Sequence, residues 1–354
     1  MKRPAWFDER NPSLARRAQL APLSALAACY GAGAALHRAA YERGVLAPAR
    51  LACRVVSVGN LVVGGAGKTP LAAWIAAQLS ARGRRAALAS RGYGGTPREP
   101  VHVASDGTRV RESAAVVGDE AVLLAQLAPG VPVLVAKRRM LAGRRAVADF
   151  GASVVVLDDG FQHHALARDV ELVVFGADGL GNGEVLPRGP LREPIAALSR
   201  AQAILTTGGA LSDHDEALIA NAAPGAARFA ATRTPREIRV LGTRSPRSEP
   251  APASALAGYE VGVLSALANP RALRATVESL GARVVAERSF ADHHRYSAAD
   301  LVGIGKQAPL WITTEKDAVK LEPSWCARAD VRVLALETAL EKPEEFLAWL
   351  EARL

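Results

Sequence analysis

The chain has 354 residues, 49% hydrophobic and 22% charged, a composition that buries a sizeable core and excludes a disordered or fibrous protein. At ~100–200 residues per domain it admits two domains, or one large one with extensions, and its three widely spaced cysteines exclude a disulfide framework or a cysteine-based zinc site and fit a reducing compartment. The net charge of +9 is uneven: residues 1–100 hold 15 Lys/Arg against 4 Asp/Glu, so an anionic partner (nucleotide phosphate, nucleic acid or lipid) is expected at the first third.

Between Arg17 and Arg38 lie twenty residues without a formal charge, with Leu20, Leu23, Leu26 and Tyr30 at helical spacing. The run is Ala/Gly-rich and includes Gln19, Pro22 and His37, which is weak for a transmembrane span. The basic pair Arg16-Arg17 follows a stretch containing Asp8 and Glu9, which argues against a signal peptide. An amphipathic helix on a membrane surface and a helix packed on the core share the same stripe. Moderate hydrophobicity and flanking arginines favour peripheral contact with an anionic membrane surface.

From residue 54 short β-branched runs alternate with helical stretches. Strands are predicted at 54–58, 86–89, 131–135, 153–157, 170–175 and 203–206, with helices at 70–82, 120–127, 138–150 and 213–221. This is an α/β pattern, a mostly parallel sheet with helices on both faces. Residues 232–255, rich in Pro, Arg and Ser, read as a linker or an exposed crossover. A second α/β series follows, with strands at 261–264, 284–287, 310–313 and 331–335 and helices from Pro270 and near Ser297. The organisation expected is an N-terminal amphipathic segment at 1–50, a P-loop NTPase-like core at 51–231 and a second, smaller α/β lobe at 232–354.

The most informative stretch is Val55-Val-Ser-Val-Gly-Asn-Leu-Val-Val-Gly-Gly-Ala-Gly-Lys-Thr-Pro70, a buried strand running into a Gly-rich turn that opens a helix. Backbone N–H groups of such a turn curl around phosphate oxygens, and the helix N-terminus adds its positive dipole. Lys68 is placed to reach the β- and γ-phosphates and Thr69 to ligate Mg²⁺. The usual first glycine of a G-x-x-x-x-G-K-[ST] loop is Val62 here; the glycines are Gly64, Gly65 and Gly67, with Val63 and Ala66 completing the nucleotide loop.

Ser153-Val-Val-Val-Leu-Asp-Asp-Gly160 is a buried strand ending in two acids, where P-loop proteins hold Mg²⁺ directly or through water. Adjacent His163 and His164 point in different directions and read as structural or substrate-facing. A phosphoryl acceptor also needs a base. From spacing alone Asp119, just before a helical stretch, reads as an N-cap rather than a base. Asp292-His293-His294 lies in the second series, and a His from there meeting that Asp would complete a base.

Taken together the motifs resemble those of the tetraacyldisaccharide 4′-kinase (lipid A 4′-kinase) family: residues 58–70, Ser90-Arg-Gly-Tyr-Gly-Gly95, Val117-Gly-Asp-Glu120, Asp158-Asp-Gly-Phe-Gln-His-His164, Leu186-Pro-Arg-Gly-Pro-Leu-Arg-Glu193, Phe290-Ala-Asp-His293 and Thr313-Thr-Glu-Lys-Asp317. They occur in the family's order from residue 55 to about 320. The resemblance implies transfer of the γ-phosphate of ATP, with Mg²⁺, to the 4′-hydroxyl of an acylated glucosamine disaccharide 1-phosphate at the cytoplasmic face of the bacterial inner membrane. It implies Lys68 and Thr69 for ATP and Mg²⁺, Asp119 as general base paired with His293, and Asp158, Asp159 and Glu193 around Mg²⁺. Arg192 and Arg139 are implied phosphate contacts, and Arg91 and Tyr93 are candidates to line the cleft. A monomer without a nucleic-acid partner is expected. The rival reading is a membrane-associated P-loop ATPase that switches partners, although the Lys such switches carry before Gly-Gly is Val63 here.

Overall fold

The computed structural model describes residues 4–241, 250–267, 269–326 and 329–354. Its first series forms a parallel array in the spatial order β7 (Ala203–Thr207), β6 (Val170–Phe175), β1 (Arg54–Gly59), β5 (Val154–Asp158), β2 (Ala86–Ser90) and β4 (Pro132–Val135). Antiparallel β3 (His102–Asp106) closes that edge. Val154 to Leu157 are all buried, as continuous apolar strands covered on both faces must be. Successive residues then serve opposite cores. Val154 and Val156 pack with α2 (Lys68–Ala81) and α4 (Asp119–Leu127), while Val155 and Leu157 pack with α5 (Arg139–Phe150). Short α3 (Ala114–Val117) leads into α4, and α6 (Asp213–Ala222) contributes Ile219 to a third core with Phe161 and Phe175.

The second series continues the same sheet in the order β13 (Asp330–Leu340), β12 (Leu310–Thr314), β10 (Glu260–Ser265) and β11 (Arg283–Ser289), all parallel. Trp311 on β12 is fully buried, and Leu273 and Val277 of α7 (Pro270–Ser279) cover the opposite face. Four-residue α8 (Glu315–Ala318) follows β12, and α9 (Pro343–Glu351) returns to the first core through Phe346, Leu347 and Leu350.

The expected linker at 232–255 is corrected. Residues Ala227–Val240 form β8, which pairs parallel with β7 through Ala231 and then antiparallel with β13 from Ala231 to Val240. The proposed boundary at 231/232 therefore falls inside a strand of one continuous sheet. The composition misleads because Pro235 sits opposite Leu336 beside a register shift, where a missing N–H is tolerated, and Arg239 pairs with Glu315 at 2.7 Å. Residues 242–249 lie outside the described residues, and β9 (Ala251–Pro252) pairs back onto β8. Elements β3, β8 and α9 were not among those expected, and the helix near Ser297 is a 3-10 turn at Ala298–Leu301 with a capping box.

The N-terminal run forms α1 (Leu14–Glu42), whose 29 residues span about 43 Å. Only Leu20, Ala27 and Gly31 are buried along it, while Leu14, Leu26, Tyr30 and Leu36 are exposed. It lies on the loop after β6, where Tyr30 Oη donates to the Arg192 carbonyl at 2.9 Å, and just ahead of it Arg10 pairs with Asp215 of α6 at 2.7 Å. It is thus a helix tethered by one narrow stripe.

Gly59 ends β1 against the backbone of Phe161, and a methyl group there would lie 2.6 Å from the Phe161 nitrogen. Gly59→Ala is expected to destabilise the fold by ~1–3 kcal/mol, because the methyl meets Phe161 N, Cα and the Cβ they fix, none of which can turn aside. Denaturant melts of the two proteins check this.

Candidate active site

The loop between β1 and α2 is built by fixed local contacts. The Val63 N–H donates to the Pro190 carbonyl at 2.9 Å, and Thr207 Oγ1 donates to the Ala66 carbonyl at 2.9 Å. Val62 is buried and bridges to Leu191, whereas Gly64 and Gly65 are exposed. Gly67 has φ of 74°, a left-handed conformation that an L side chain strains, and it launches α2 with Lys68 and Thr69 in the first turn. The free N–H groups of that turn and the helix dipole make it an anion site.

Two acids at the end of β5 face this turn. Thr69 Oγ1 donates to Asp158 Oδ2 at 2.9 Å, while the other oxygen of the buried Asp158 carboxyl has no hydrogen-bond partner. Burial first, then Glu120 and Asp159, push the Asp158 carboxyl up to about 7, against the pull of Lys68 and the Thr69 hydroxyl. Asp159, in the left-handed region at φ 55°, lies 3.5 Å from Lys68 Nζ and accepts from Arg192 Nη1 at 2.9 and 3.0 Å. Burial pushes its carboxyl up, but the charges of Lys68, Arg192 and Arg139 outweigh burial and hold it below its ordinary value. Arg139 is buried, with Nη2 3.5 Å from the Asp158 carbonyl oxygen.

Asp119 is the first residue of α4, preceded by Gly118 in the capping position, so the N-cap reading gives way to a different contact. His293 Nδ1 lies 3.0 and 3.2 Å from the two Asp119 oxygens, across 174 residues of chain. Burial would raise the Asp119 carboxyl; the His293 hydrogen bond and the charges of Lys316, His293 and Lys320 reverse this and keep it below its ordinary value. The His293 backbone is also left-handed, at φ 60°, with its N–H donating to its neighbour Asp292 at 3.1 Å. The Tyr93 ring covers His293 at 4.9 Å between centroids.

Glu193 is not brought to Thr69 and Asp158. It accepts from Arg200 at 3.1 and 3.2 Å and lies 3.7 Å from His164 Nε2, in a buried ionic network beneath α1. His164 packs against His37 and Tyr41, and burial with the charges of Arg200 and Arg168 lowers its pKa to about 3. His163 is lowered to about 4, chiefly by burial, so both rings are neutral at pH 7. Among the described residues no three His, Cys, Asp or Glu converge as a self-sufficient metal site. A P-loop Mg²⁺ needs fewer, since phosphates and water supply the rest. A cleft of about 410 Å³ between α1 and the core is lined by Tyr30, Gly33, His37, Gln162 and Arg192, among others.

Three contributors carried no assigned role from sequence. Thr207 gives no motif signal. Lys316 belongs to the Thr313–Asp317 motif, and Lys320, 3.9 Å from Asp119 Oδ2, follows it one turn later.

An α/β sheet carrying a phosphate loop, strand-end acids and a buried Asp in contact with a half-buried His defines a P-loop phosphotransferase. Within that class the chain belongs to the tetraacyldisaccharide-1-P 4′-kinase family, whose profile matches residues 17–354. It is similar to the tetraacyldisaccharide 4′-kinases of Anaeromyxobacter dehalogenans strain 2CP-C (45% identical over 347 residues, 95% of this chain and 90% of the relative) and Syntrophus aciditrophicus (38% over 339 residues, 90% and 88%). Among solved structures it is similar to LpxK from Aquifex aeolicus in complex with ATP, with a TM-score of 0.75 and 28% identity, covering 95% of this chain and 99% of that one. The partner-switching ATPase is not favoured by these relationships.

A carboxyl with a raised folded-state pKa opposes folding increasingly as pH rises from its unfolded toward its folded value. Asp158→Asn is therefore expected to stabilise the nucleotide-free protein, with a gain growing between pH 5 and 8 to about 1–3 kcal/mol. Thermal melts across that range check the sign.

Proposed function

We propose that this protein transfers the γ-phosphate of ATP to the 4′-hydroxyl of tetraacyldisaccharide 1-phosphate, giving lipid IVA, at the cytoplasmic face of the bacterial inner membrane. The observation that carries the reading is the Asp119–His293 pair, a buried ionised carboxylate whose neighbour Glu120 acts on Asp158, the acid bonded to Thr69 of the phosphate loop. Family membership supplies the acceptor's identity.

The loop from Val62 to Thr69 cradles the triphosphate, with Lys68 leaving Asp159 to contact the β- and γ-phosphates. Arg192, now on Asp159, and Arg139 are placed to neutralise charge on the transferring group. Thr69 and the unpartnered Asp158 oxygen fit Mg²⁺, which needs hard oxygens of this kind. Held there, such an ion would supply positive charge to offset the negative charge that develops on the phosphates. Asp119 orients the acceptor hydroxyl and takes its proton as the oxygen attacks γ-phosphorus in line and the bond to ADP breaks. His293 donates to Asp119 and fixes its orientation. One chain supplies every group named, which supports a monomer as the active unit.

The cleft beside α1 opens toward Arg192, and the exposed apolar side chains of α1 suit the acyl chains and the bilayer surface from which such an acceptor is drawn. Only 17% of the helix's most apolar window is buried.

Purified protein, labelled ATP and Mg²⁺ with tetraacyldisaccharide 1-phosphate in detergent micelles should yield labelled lipid, lost with Lys68→Ala. Asp119→Ala is expected to lower turnover at least ~10²-fold while remaining folded. No labelled lipid from a folded, ATP-binding wild type would overturn the reading, and near-normal turnover of Asp119→Ala would remove the base assignment. Replacing Leu14, Leu26 and Leu36 by Asp is expected to reduce cosedimentation with anionic vesicles while leaving the melting temperature within about 2 °C, since these side chains touch little of the core.

A further inference from the structure

Arg233 has no part in the reaction as derived above, yet it stands at the mouth of the phosphate loop. A β-carbon built on Gly67, the residue that launches α2, would lie 3.6 Å from Arg233 Cδ and 3.3 Å from Thr207 Oγ1. The strand register explains the placement. Ala231 of β8 pairs with Thr207 at the end of β7 and is buried in the core that α2 covers. Arg233, two residues further on, points to that same face and so comes level with the first turn of α2.

Among the described residues nothing satisfies this cation: its guanidinium has neither hydrogen bond nor ion pair, and Glu315 is the one charge acting on it. That carboxylate is already taken. It accepts from Arg239 Nη2 at 2.7 Å and from the Leu336 N–H at 3.3 Å. Thr338, opposite Arg233 on β13, is uncharged. Arg233 is open to solvent, but the protein crowds it enough for desolvation to lower its pKa, with Glu315 pulling the other way. Accessible and crowded together describe a side chain inside a cleft. It stays charged at neutral pH, as a guanidinium does.

The anion that suits it follows from the two sides of the loop. Asp158 ends β5 on one side of β1, while β6, β7 and β8 lie in order on the other. Transfer chemistry belongs to the acid side, where Thr69 and Asp158 meet. A nucleoside triphosphate with its γ-phosphate there runs its nucleoside end toward β7 and β8. The first turn of α2 is also short of a donor. The Leu71 N–H already bonds the Gly67 carbonyl at 3.2 Å and Pro70 has no N–H, so of the first helical residues only Lys68 and Thr69 offer theirs. The missing N–H costs the helix little, but it leaves one fewer donor for phosphate.

We propose that Arg233 is a nucleotide-binding residue that pairs with the α-phosphate, the one joined to the nucleoside. The inference rests on the reading of the phosphate loop as the ATP site. No bond is made or broken at that phosphate, so Arg233 holds substrate, transition state and product alike and acts on affinity rather than on the chemical step.

The test is calorimetric titration of the full chain, in Mg²⁺ buffer, with ADP, ATP and inorganic tripolyphosphate, none of which needs the acceptor lipid. Arg233→Met is expected to weaken all three ~10-fold, the worth of one charge-assisted contact, with Arg233→Lys recovering most of the loss. In the lipid-phosphorylation assay the Met variant should raise KM for ATP ~10-fold and keep kcat within ~2-fold. In the wild type, saturating ADP should shield Arg233 from phenylglyoxal, read by mass spectrometry of the peptide that carries it. An unshielded Arg233 would overturn the proposal whether or not the Met variant folds, as would unchanged affinities in a folded variant. Loss confined to ADP and ATP, with tripolyphosphate bound normally, would move the contact to the base. ATP weakened with ADP spared, or kcat lowered at unchanged KM, would move it to the transferring group. Either result overturns the assignment. A wild type that binds ADP through Arg233 and phosphorylates no lipid would sink the assigned reaction and leave this contact standing.

Discussion

The antiparallel pairing of β8 with β13 is the constraint on which the site depends. Each parallel series by itself carries its loops at the carboxyl ends of its own strands, where ligands of open α/β sheets lie. Because β8 belongs to both, the second series is turned back on the first, and the loop after β11 meets the loop before α4. His293 thereby reaches Asp119 without an independent hinge. The pairing runs from Ala231 to Val240, and Arg239 on β8 bonds to Glu315 at the start of α8, so the strand that joins the halves also steadies the helix bearing Lys316.

Charge is arranged around that junction in two opposed sets. Burial pushes the carboxyls of Asp158, Asp159 and Asp119 upward. It prevails at Asp158, which lacks a close cation of its own, and loses at Asp119 and Asp159, each with two or more cations nearby. The result is one carboxyl with an unfilled oxygen suited to a metal, one ionised carboxylate suited to a base, and one that occupies Lys68 and Arg192. Asp159 and His293 also share left-handed backbones, which cost of order 1–2 kcal/mol each for a side chain larger than glycine. Both sit where a rigid side-chain direction matters more than local comfort.

Much of this was legible in the residues. Buried β-branched runs and the Gly-rich turn placed the first series to within two residues at nearly every boundary, because continuous apolar strands have few alternative readings. The failures are physical. β8 reads as loop because its proline and arginines are tolerated through a register shift and cross-strand pairing that only its partners reveal. Glu193 was grouped with the metal acids by motif, and no local pattern announces that Arg200 claims it. The Asp119–His293 contact spans elements far apart in sequence, so spacing favoured an N-cap for Asp119, and only the family resemblance paired the two residues that the structure brings into contact. Thr207 stayed invisible because one hydroxyl on a carbonyl leaves no periodic trace.

Helix α9 carries a consequence for synthesis. Phe346 packs beside Trp74 of α2 and Phe229 of β8, and Glu344 binds Arg82 at the end of α2. The helix that opens from the phosphate loop thus has part of its apolar flank covered by residues made nearly three hundred positions later. On the ribosome, α2 emerges early and waits with that flank bare until Leu350 has cleared the exit tunnel. Until then Trp74 and the apolar residues beside it are open to off-pathway contacts.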